Sequence, residues 1–422
     1  MFEFKEYTNY EPFRFYAYMT PPPANAGVGE LSANPDCMTD KHYKAVAECG
    51  FNRSIGIYDK GLDLSKKALA GLQPYGVKHI PADEDFLRLA KDLRDGKDVT
   101  ALLNTLKKHL TEYKKFDNFG GVSVVDEPVA GILPYLGQAK ALLEKDFGNY
   151  QFWYNLLPEA AGAAHIGMED YSEYVKLAAK NCGGRLSFDS YALTKDGIRQ
   201  DHFKNSAIVA SVAKECGMPW DAFILTMGHW DYITPKNYAD LAWQIYSYMA
   251  FGAQGIETFT YWTTMTTGEK VTHGLCDYYG NKTQTWYSMR EVIKEVRAFE
   301  AMYMNSAWEG TMVYAAKGNQ PNVLLTSIPD PLKKHARIAS LKAEKDFLLG
   351  AFKDKDGRDA FLLVNVTNPA DNAQGSVTLK FNNATKAVIY KKGRKVIESL
   401  ENGVLKIIMG CGEGNYIIPL VQ

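Results

Sequence analysis

The sequence lacks most of what would mark a specialised binding surface. Lys and Arg number 48 against 49 Asp and Glu, so no long-range field recruits nucleic acid or an anionic membrane. The six cysteines (Cys37, Cys49, Cys182, Cys216, Cys276 and Cys411) lie far apart with no CxxC pair. They read as small buried hydrophobes in a reducing compartment, not as a disulfide frame or a zinc site. No apolar run approaches the length that spans a bilayer. The stretch MFEFKEYTNYEPF has neither a basic n-region nor an apolar h-region; no signal peptide is expected, and the cytoplasm is the default location unless a signal has been removed. Oligomeric state is left open.

Three further absences narrow the chemistry. A Gly-rich phosphate loop after the first strand is missing, and Pro21-Pro22-Pro23 stands there instead, which argues against a dinucleotide-binding sheet. Tyr16-Ala17-Tyr18 occupies the place where a barrel metallohydrolase would carry His-x-His, so no metal is expected. No lysine ends a predicted strand, which counts against a Schiff-base aldolase. No cofactor is implied.

What is present is an alternation of strands and helices organised around Phe119-Gly120-Gly121-Val122-Ser123-Val124-Val125-Asp126-Glu127-Pro128. The valines are apolar and β-prone enough for a strand buried on both faces. Pro128 cannot donate to a ladder and stops it. Further strands are expected at Arg14–Met19, Asn52–Tyr58, Gly76–Pro81, Gln151–Asn155, Arg185–Tyr191, Pro219–Met227 and Gly255–Trp262, with helices between them, one a long charged stretch from Glu84 to Tyr113. Eight strand–helix units over about 300 residues is the count and length of an α/β TIM (β/α)8 barrel. From about Ser306 the helical period disappears, and short strands such as Thr311–Tyr314, Asp346–Phe352 and Ala360–Val366 follow. The expected organisation is a TIM-barrel catalytic domain over 1–305 and a C-terminal antiparallel β-sandwich over 306–422.

A barrel gathers its strand ends into one pocket. The ends here carry Tyr18, Tyr58-Asp59, Asp126-Glu127, Asn155, Asp189 and Tyr191, His229-Trp230 and Tyr261-Trp262. Each alone is weak, because strand ends border polar loops. Together they form a mixture of carboxylates, amides and aromatics with few cations, which suits a neutral polyhydroxylated ligand. The 26 Tyr and 7 Trp add rings whose apolar faces and polar tips make good walls for sugars. Paired carboxylates among aromatics suggest glycosidic bond cleavage, one acting as acid and the other as base or nucleophile.

The stretches TDKHYKAVAECGFN, VVDEP, FWYNLLP, LSFDSY and GAQGIETFTYW resemble a bacterial glycoside hydrolase of the clan A type. The resemblance to family 42 β-galactosidases is distant, and that to a group of gut-bacterial glycoside-hydrolase-like proteins is closer. It spans most of residues 20 to 290. In clan A the strand-four motif is Asn-Glu-Pro, and the resemblance implies that Glu127 is the general acid/base, with Asp126 in place of the Asn. Asp126 can accept the sugar bond the Asn makes, and its charge raises the pKa of its neighbour. The chain departs from the pattern at strand seven, where the clan's nucleophilic Glu has no counterpart in Phe223-Ile224-Leu225-Thr226-Met227-Gly228-His229. Asp189 and Glu257 are the substitutes, Asp189 ranked first. The structural alternative for Asp189 is an acid orienting a Tyr or Arg; for Glu257 it is a buried ion pair with a barrel Arg or Lys, facing away from the pocket if Trp262 faces into it.

Asp189 lies two strands away from Glu127 around the barrel, which favours the wider carboxyl separation of an inverting enzyme, about 6.5–9.5 Å, over the roughly 5–5.5 Å of a retaining one. Trp262 and Tyr191 are expected to stack on sugar, with Asn155 and His229 bonding it. A glycoside hydrolase is the first reading. A non-catalytic carbohydrate-binding barrel that lost its nucleophile is the second, and an aldolase or isomerase the weakest. Fold alone decides nothing among them.

Overall fold

The structure is a computed structural model that describes residues 4–26, 34–235, 237–264, 271–316 and 323–421. Eight parallel strands come first: β1 (Arg14–Tyr18), β2 (Arg53–Ile55), β3 (Lys78–Ile80), β4 (Gly121–Asp126), β5 (Gln151–Asn155), β6 (Leu186–Asp189), β7 (Trp220–Leu225) and β8 (Gly255–Phe259). They pair as a six-stranded sheet in the order β3-β2-β1-β8-β7-β6 and a two-stranded sheet β4-β5. Isolated parallel bridges stand at both seams: His79 with Phe119 and Ala82 with Ser123 on one side, Leu156 with Phe188 on the other. Helices join successive strands, among them Asp40–Cys49, Leu62–Leu72, Leu133–Phe147, Tyr171–Cys182, His202–Glu215 and Tyr238–Ala250.

The expected single helix from Glu84 to Tyr113 is two, Glu84–Arg94 and Thr100–Tyr113. Gly96 takes a φ of +67° between them, and the Asp98 carboxylate accepts from the Thr100 backbone N–H. A charged, helix-favouring composition hid a glycine turn with its own cap. Several strands are also shorter than the apolar runs that announced them, because β2 ends at Ile55 and β8 at Phe259.

From Ser306 onward the described chain is almost wholly antiparallel. One sheet runs β9-β11-β12-β17-β14-β15, built from Ser306–Tyr314, Phe347–Asp354, Asp359–Asn365, Gly414–Val421, Ala384–Lys391 and Arg394–Ser399 in that order. The other runs β10-β13-β16, from Ile338–Ala343, Gly375–Phe381 and Val404–Met409. Inward side chains of both, such as Phe361 and Leu363 from one and Leu379 and Leu405 from the other, meet in one apolar cluster. The fold is therefore mixed: parallel α/β first, antiparallel β after it.

The two parts share a buried seam. Helix Tyr238–Ala250 is buried along nearly its whole length because β7 lies on one side of it and β11 and β12 on the other. The helix Gln284–Tyr303 presents Phe299 to Tyr416 of β17, rings stacked 5.2 Å apart. Large aromatics on both sides, each burying 150–250 Å², make this a core and not a hinge.

Candidate functional site

At the carboxyl ends of the parallel strands lies a cleft of about 550 Å³. Its floor and walls come from Tyr18 of β1 and Met19 after it, Asp126 of β4 and Glu127 after it, Asn155 of β5, Asp189 of β6 and Tyr191 after it, Phe223 of β7, and Phe259 of β8. His229, Trp230 and Tyr232 from the loop after β7 complete it, with Arg199 and His165 at its margins.

The local fold of β4 explains how its two carboxyls reach this place. Gly121 has a φ of +134°, and a Cβ there would lie 2.1 Å from the Gln151 carbonyl oxygen, so only glycine lets β4 lie this close to β5. The register then slips between Ser123 and Val125, which brings Asp126 opposite Asn155. A bulge of this kind re-aims the side chains beyond it. Asn155 Nδ2 donates to Asp126 Oδ1 at 3.1 Å, and the Tyr18 hydroxyl donates to Oδ2 at 3.5 Å. The next residue turns sharply: Glu127 has a φ of +51°, while its N–H donates to the Asn155 carbonyl at 2.8 Å. Behind it the Tyr174 hydroxyl donates to the Pro128 carbonyl at 2.6 Å, holding the turn from below.

Backbone strain gathers at this cleft. Apart from Asn and Asp, which tolerate the left-handed region, the described non-glycine residues with positive φ are Met19, Glu127, Trp230 and Lys392. Three of those four line the cleft. Strained residues persist only where surrounding structure over-determines them, and they concentrate at functional sites.

The electrostatics run one way. Burial pushes the Glu127 carboxyl above its usual range, the charge of Asp126 pushes it further, and His165 opposes. Asp126 remains open to solvent along one side, yet the protein packed round it still raises its pKa; the bonds from Asn155, Tyr18 and the Glu127 N–H pull it back. Asp189 is raised most, first by burial and then by the charges of Glu127 and Asp126, with Asn155 opposing. Its Oδ1 is buried without a hydrogen-bond partner. Among the described residues the guanidinium at the margin does not neutralise them: Arg199 is bonded to Asp201 at 2.8 Å and to the Tyr232 hydroxyl at 3.0 Å. Three carboxyls thus share a cleft in which Asp126 favours the protonated form of Glu127 and both favour that of Asp189.

The opposite wall is aromatic. The Tyr191 ring meets His229, Tyr232 and Phe259 at 5.7, 5.6 and 5.6 Å between centroids. Trp230 stands at the mouth, 60% exposed, where an indole face is free to take a ring.

Of the residues expected here, the structure brings together Tyr18, Asp126, Glu127, Asn155, Asp189, Tyr191, His229 and Trp230. Tyr58 stands one layer back, its hydroxyl 2.8 Å from Thr264 Oγ1, and Thr264 lines the cleft. Asp59 lies elsewhere, buried behind β2 and paired with His79 Nε2 at 2.7 Å. Tyr261 and Trp262 are also misplaced by the expectation. After Phe259 the chain stays beside the end of β1, with Tyr261 N–H on the Tyr18 carbonyl and Trp262 N–H on that of Met19. Their rings fall among the helices, Tyr261 against Phe51 and Trp262 against His42, and neither is exposed. Glu257 does face inward, since alternation puts it on the same side as Phe259, but below the cleft. Its partners are the Trp153 indole and the Ser187 hydroxyl, not an Arg or Lys.

His165, Arg199, Tyr232 and Phe259 were not foreseen. Phe259 follows from alternation once the strand is known to end there. Arg199 and Tyr232 come from connections whose course no periodicity encodes, and His165 from the one-turn helix Ala163–Ile166, too short to show a period.

Among the solved structures with a similar fold are glycoside hydrolases. α-L-Fucosidase isoenzyme 2 from Paenibacillus thiaminolyticus is 9% identical over 98% of this chain and 100% of its own, with a TM-score of 0.58. β-Galactosidase from Bacillus circulans sp. alkalophilus is 9% identical over 98% and 100%, with a TM-score of 0.55. An Anoxybacillus α-amylase is 11% identical over 97% and 98%, with a TM-score of 0.53. No family model matches the chain, and no curated protein sequence does. At such identities the likeness is one of fold. The resemblance expected from the strand motifs holds at that level.

Among the described residues two clusters outside the cleft have metal-like composition, Asp83, Asp85 and His109, and Glu309, His335 and Asp359. Both are already knitted internally. His109 Nδ1 lies 2.8 Å from Asp83, and Lys353 and Arg337 lie 2.7 and 3.0 Å from Asp359.

Proposed function

We propose that the protein is a glycoside hydrolase acting on a neutral oligosaccharide or glycoside, with Glu127 as general acid/base. The observation that carries the reading is the convergence of Asp126, Glu127 and Asp189 opposite an aromatic wall. Cleaving a glycosidic bond requires a proton for the leaving oxygen and electron density or a base for the anomeric carbon. A carboxyl whose pKa is raised by burial and by a neighbouring carboxylate keeps its proton nearer neutrality and can serve as the acid. Glu127 meets that description and remains open to solvent. Asp189 is its partner in the cleft, acting as base on a water. Trp230 and Tyr191 stack on the sugar, while Asn155 and His229 bond its hydroxyls.

The wider architecture belongs to the same proposal. The six- and two-stranded parallel sheets form one (β/α)8 barrel, a reading supported by the bridges at both seams, and this catalytic domain extends to about residue 305. The remainder is a β-sandwich, supported by the apolar cluster its two sheets share.

A second reading, a non-catalytic carbohydrate-binding barrel, is favoured by Asp189 itself. Of the cleft carboxyls it is the one most strongly driven to its neutral form, and a neutral acid neither attacks carbon nor activates water. Turnover of a panel of aryl glycosides, with NMR of the first-formed anomer, separates the two. Hydrolysis of one class supports the first reading; saccharide binding with no hydrolysis of any supports the second.

A further inference from the structure

Beneath the cleft floor one hydroxyl hydrogen has two claimants. Ser187 Oγ lies 2.5 Å from Glu257 Oε2 and 3.2 Å from Asn155 Oδ1, and a serine has a single proton to donate. Asn155 Nδ2 donates in turn to Asp126 Oδ1 at 3.1 Å. Glu257, Ser187, Asn155 and Asp126 therefore form an unbroken line from the buried interior to a cleft carboxyl. The other oxygen of Glu257 is already taken, because the Trp153 indole donates to Oε1 at 2.7 Å. Glu257, Ser187 and Asn155 are all buried, so water does not compete for these bonds.

We propose that Glu257, acting through Ser187, fixes the orientation of the Asn155 amide and so aims its N–H at Asp126; it is a positioning residue for the site, on the reading above, that takes the saccharide.

The proton accounting gives the reason. When Glu257 is protonated, its Oε2–H donates to Ser187 Oγ. The hydrogen of Ser187 is then free for Asn155 Oδ1, and the Asn155 amide is held with its oxygen inward and its nitrogen toward the cleft. When Glu257 is ionised it takes the hydrogen of Ser187. Asn155 Oδ1 is left buried without that donor, which is unfavourable, and the amide loses the inner of the two contacts that distinguish its ends.

The surroundings favour the first state. Glu257 is pushed up to about 8, first by burial and then by the charge of Asp221, against the bonds from Ser187 and Trp153 and the charge of Arg185. The groups facing it are these and the hydroxyls of Tyr16 and Tyr18 on β1. Arg185 is committed to Asp221 at 2.6 Å, and Tyr16 donates to the same carboxylate at 3.0 Å. Arg14 also acts on Asp221. The cations of this layer are thus drawn to Asp221.

Spectra of protein labelled with ¹⁵N in the side chains of Asn and Trp read both ends of the line. The Trp153 indole N–H reports ionisation of Glu257 directly, and the Asn155 NH₂ reports what is passed on. Between about pH 6.5 and about pH 9.5 both signals of the parent should move with one midpoint. In Glu257→Gln, whose amide donates to Ser187 at every pH, that shared movement should vanish. In Ser187→Ala the Trp153 signal should still titrate while that of Asn155 should not. The proposal is overturned if neither parent signal moves, if Asn155 stays still while Trp153 moves, or if Asn155 titrates as in the parent in either variant. None of this requires turnover, so a chain that passes this test and hydrolyses nothing refutes the hydrolase reading alone.

Discussion

Replacing Glu127 by glycine and, separately, by alanine isolates the strain stored at the centre of the cleft. Both variants remove the same carboxyl, so both relieve the same burial cost and the same repulsion from Asp126. They differ in the backbone. At a φ of +51° an L-residue with a Cβ pays roughly 1–2 kcal/mol that glycine does not. At an ordinary position the order is reversed, glycine being worse than alanine by about 0.5–1 kcal/mol. The predicted sign is therefore unusual: Glu127→Gly should be the more stable variant by about 1 kcal/mol. For a chain of 422 residues that is about 1 °C in thermal midpoint, within reach of differential scanning calorimetry on matched samples. The parent should be the least stable of the three at neutral pH. Its carboxyl has a raised folded pKa, so its contribution to stability falls as pH rises past the unfolded value, and the gap should narrow on acidification. If Glu127→Ala is as stable as Glu127→Gly or more so, the turn is not strained and the argument from strain to function fails.

Three further outcomes follow from the same geometry. Gly121→Ala should cost more than about 2 kcal/mol, through left-handed strain and collision with the Gln151 carbonyl; an unchanged thermal midpoint would contradict the account of how β4 meets β5. Glu257→Gln should gain stability relative to the parent as pH rises from the usual Glu range toward about 8, by at most about 1.4 kcal/mol per pH unit, because over that window only the parent has an acid that ionises on unfolding while its buried form keeps the proton; urea midpoints with a pH-independent difference would refute this. Trp230→Ala, at a position 60% exposed, should leave stability within about 0.5 kcal/mol yet weaken saccharide binding roughly 5- to 30-fold, a split that calorimetric titration beside thermal melting detects.

The alternation of strands and helices was legible because each parallel strand is buried on both faces and so reads as an apolar run. The carboxyls were legible for a related reason: Asp126 and Asp189 fall on the last residues of β4 and β6, where an apolar run stops at a charge. What misled was reading past a strand's end. Tyr261 and Trp262 continue the apolar character of β8, but the strand ends at Phe259, and beyond it their rings pack against His42 and Phe51. Asp59 lies four residues beyond β2 and pairs with His79. Glu257 shows the converse, an inward side chain one layer too low to touch a ligand, which alternation cannot distinguish from one at the rim. The bulge in β4 left no mark on its sequence either, since a register slip depends on the neighbouring strand.

The central claim, that Glu127 supplies the proton, is tested most directly by Glu127→Gln on a glycoside with a poor leaving group that the parent cleaves. The amide keeps the shape of the side chain and cannot donate an acid proton. Turnover should fall by at least about 100-fold while the affinity for the saccharide product, measured on the same preparation, stays within a factor of about three. A variant that cleaves the glycoside as fast as the parent would contradict the assignment.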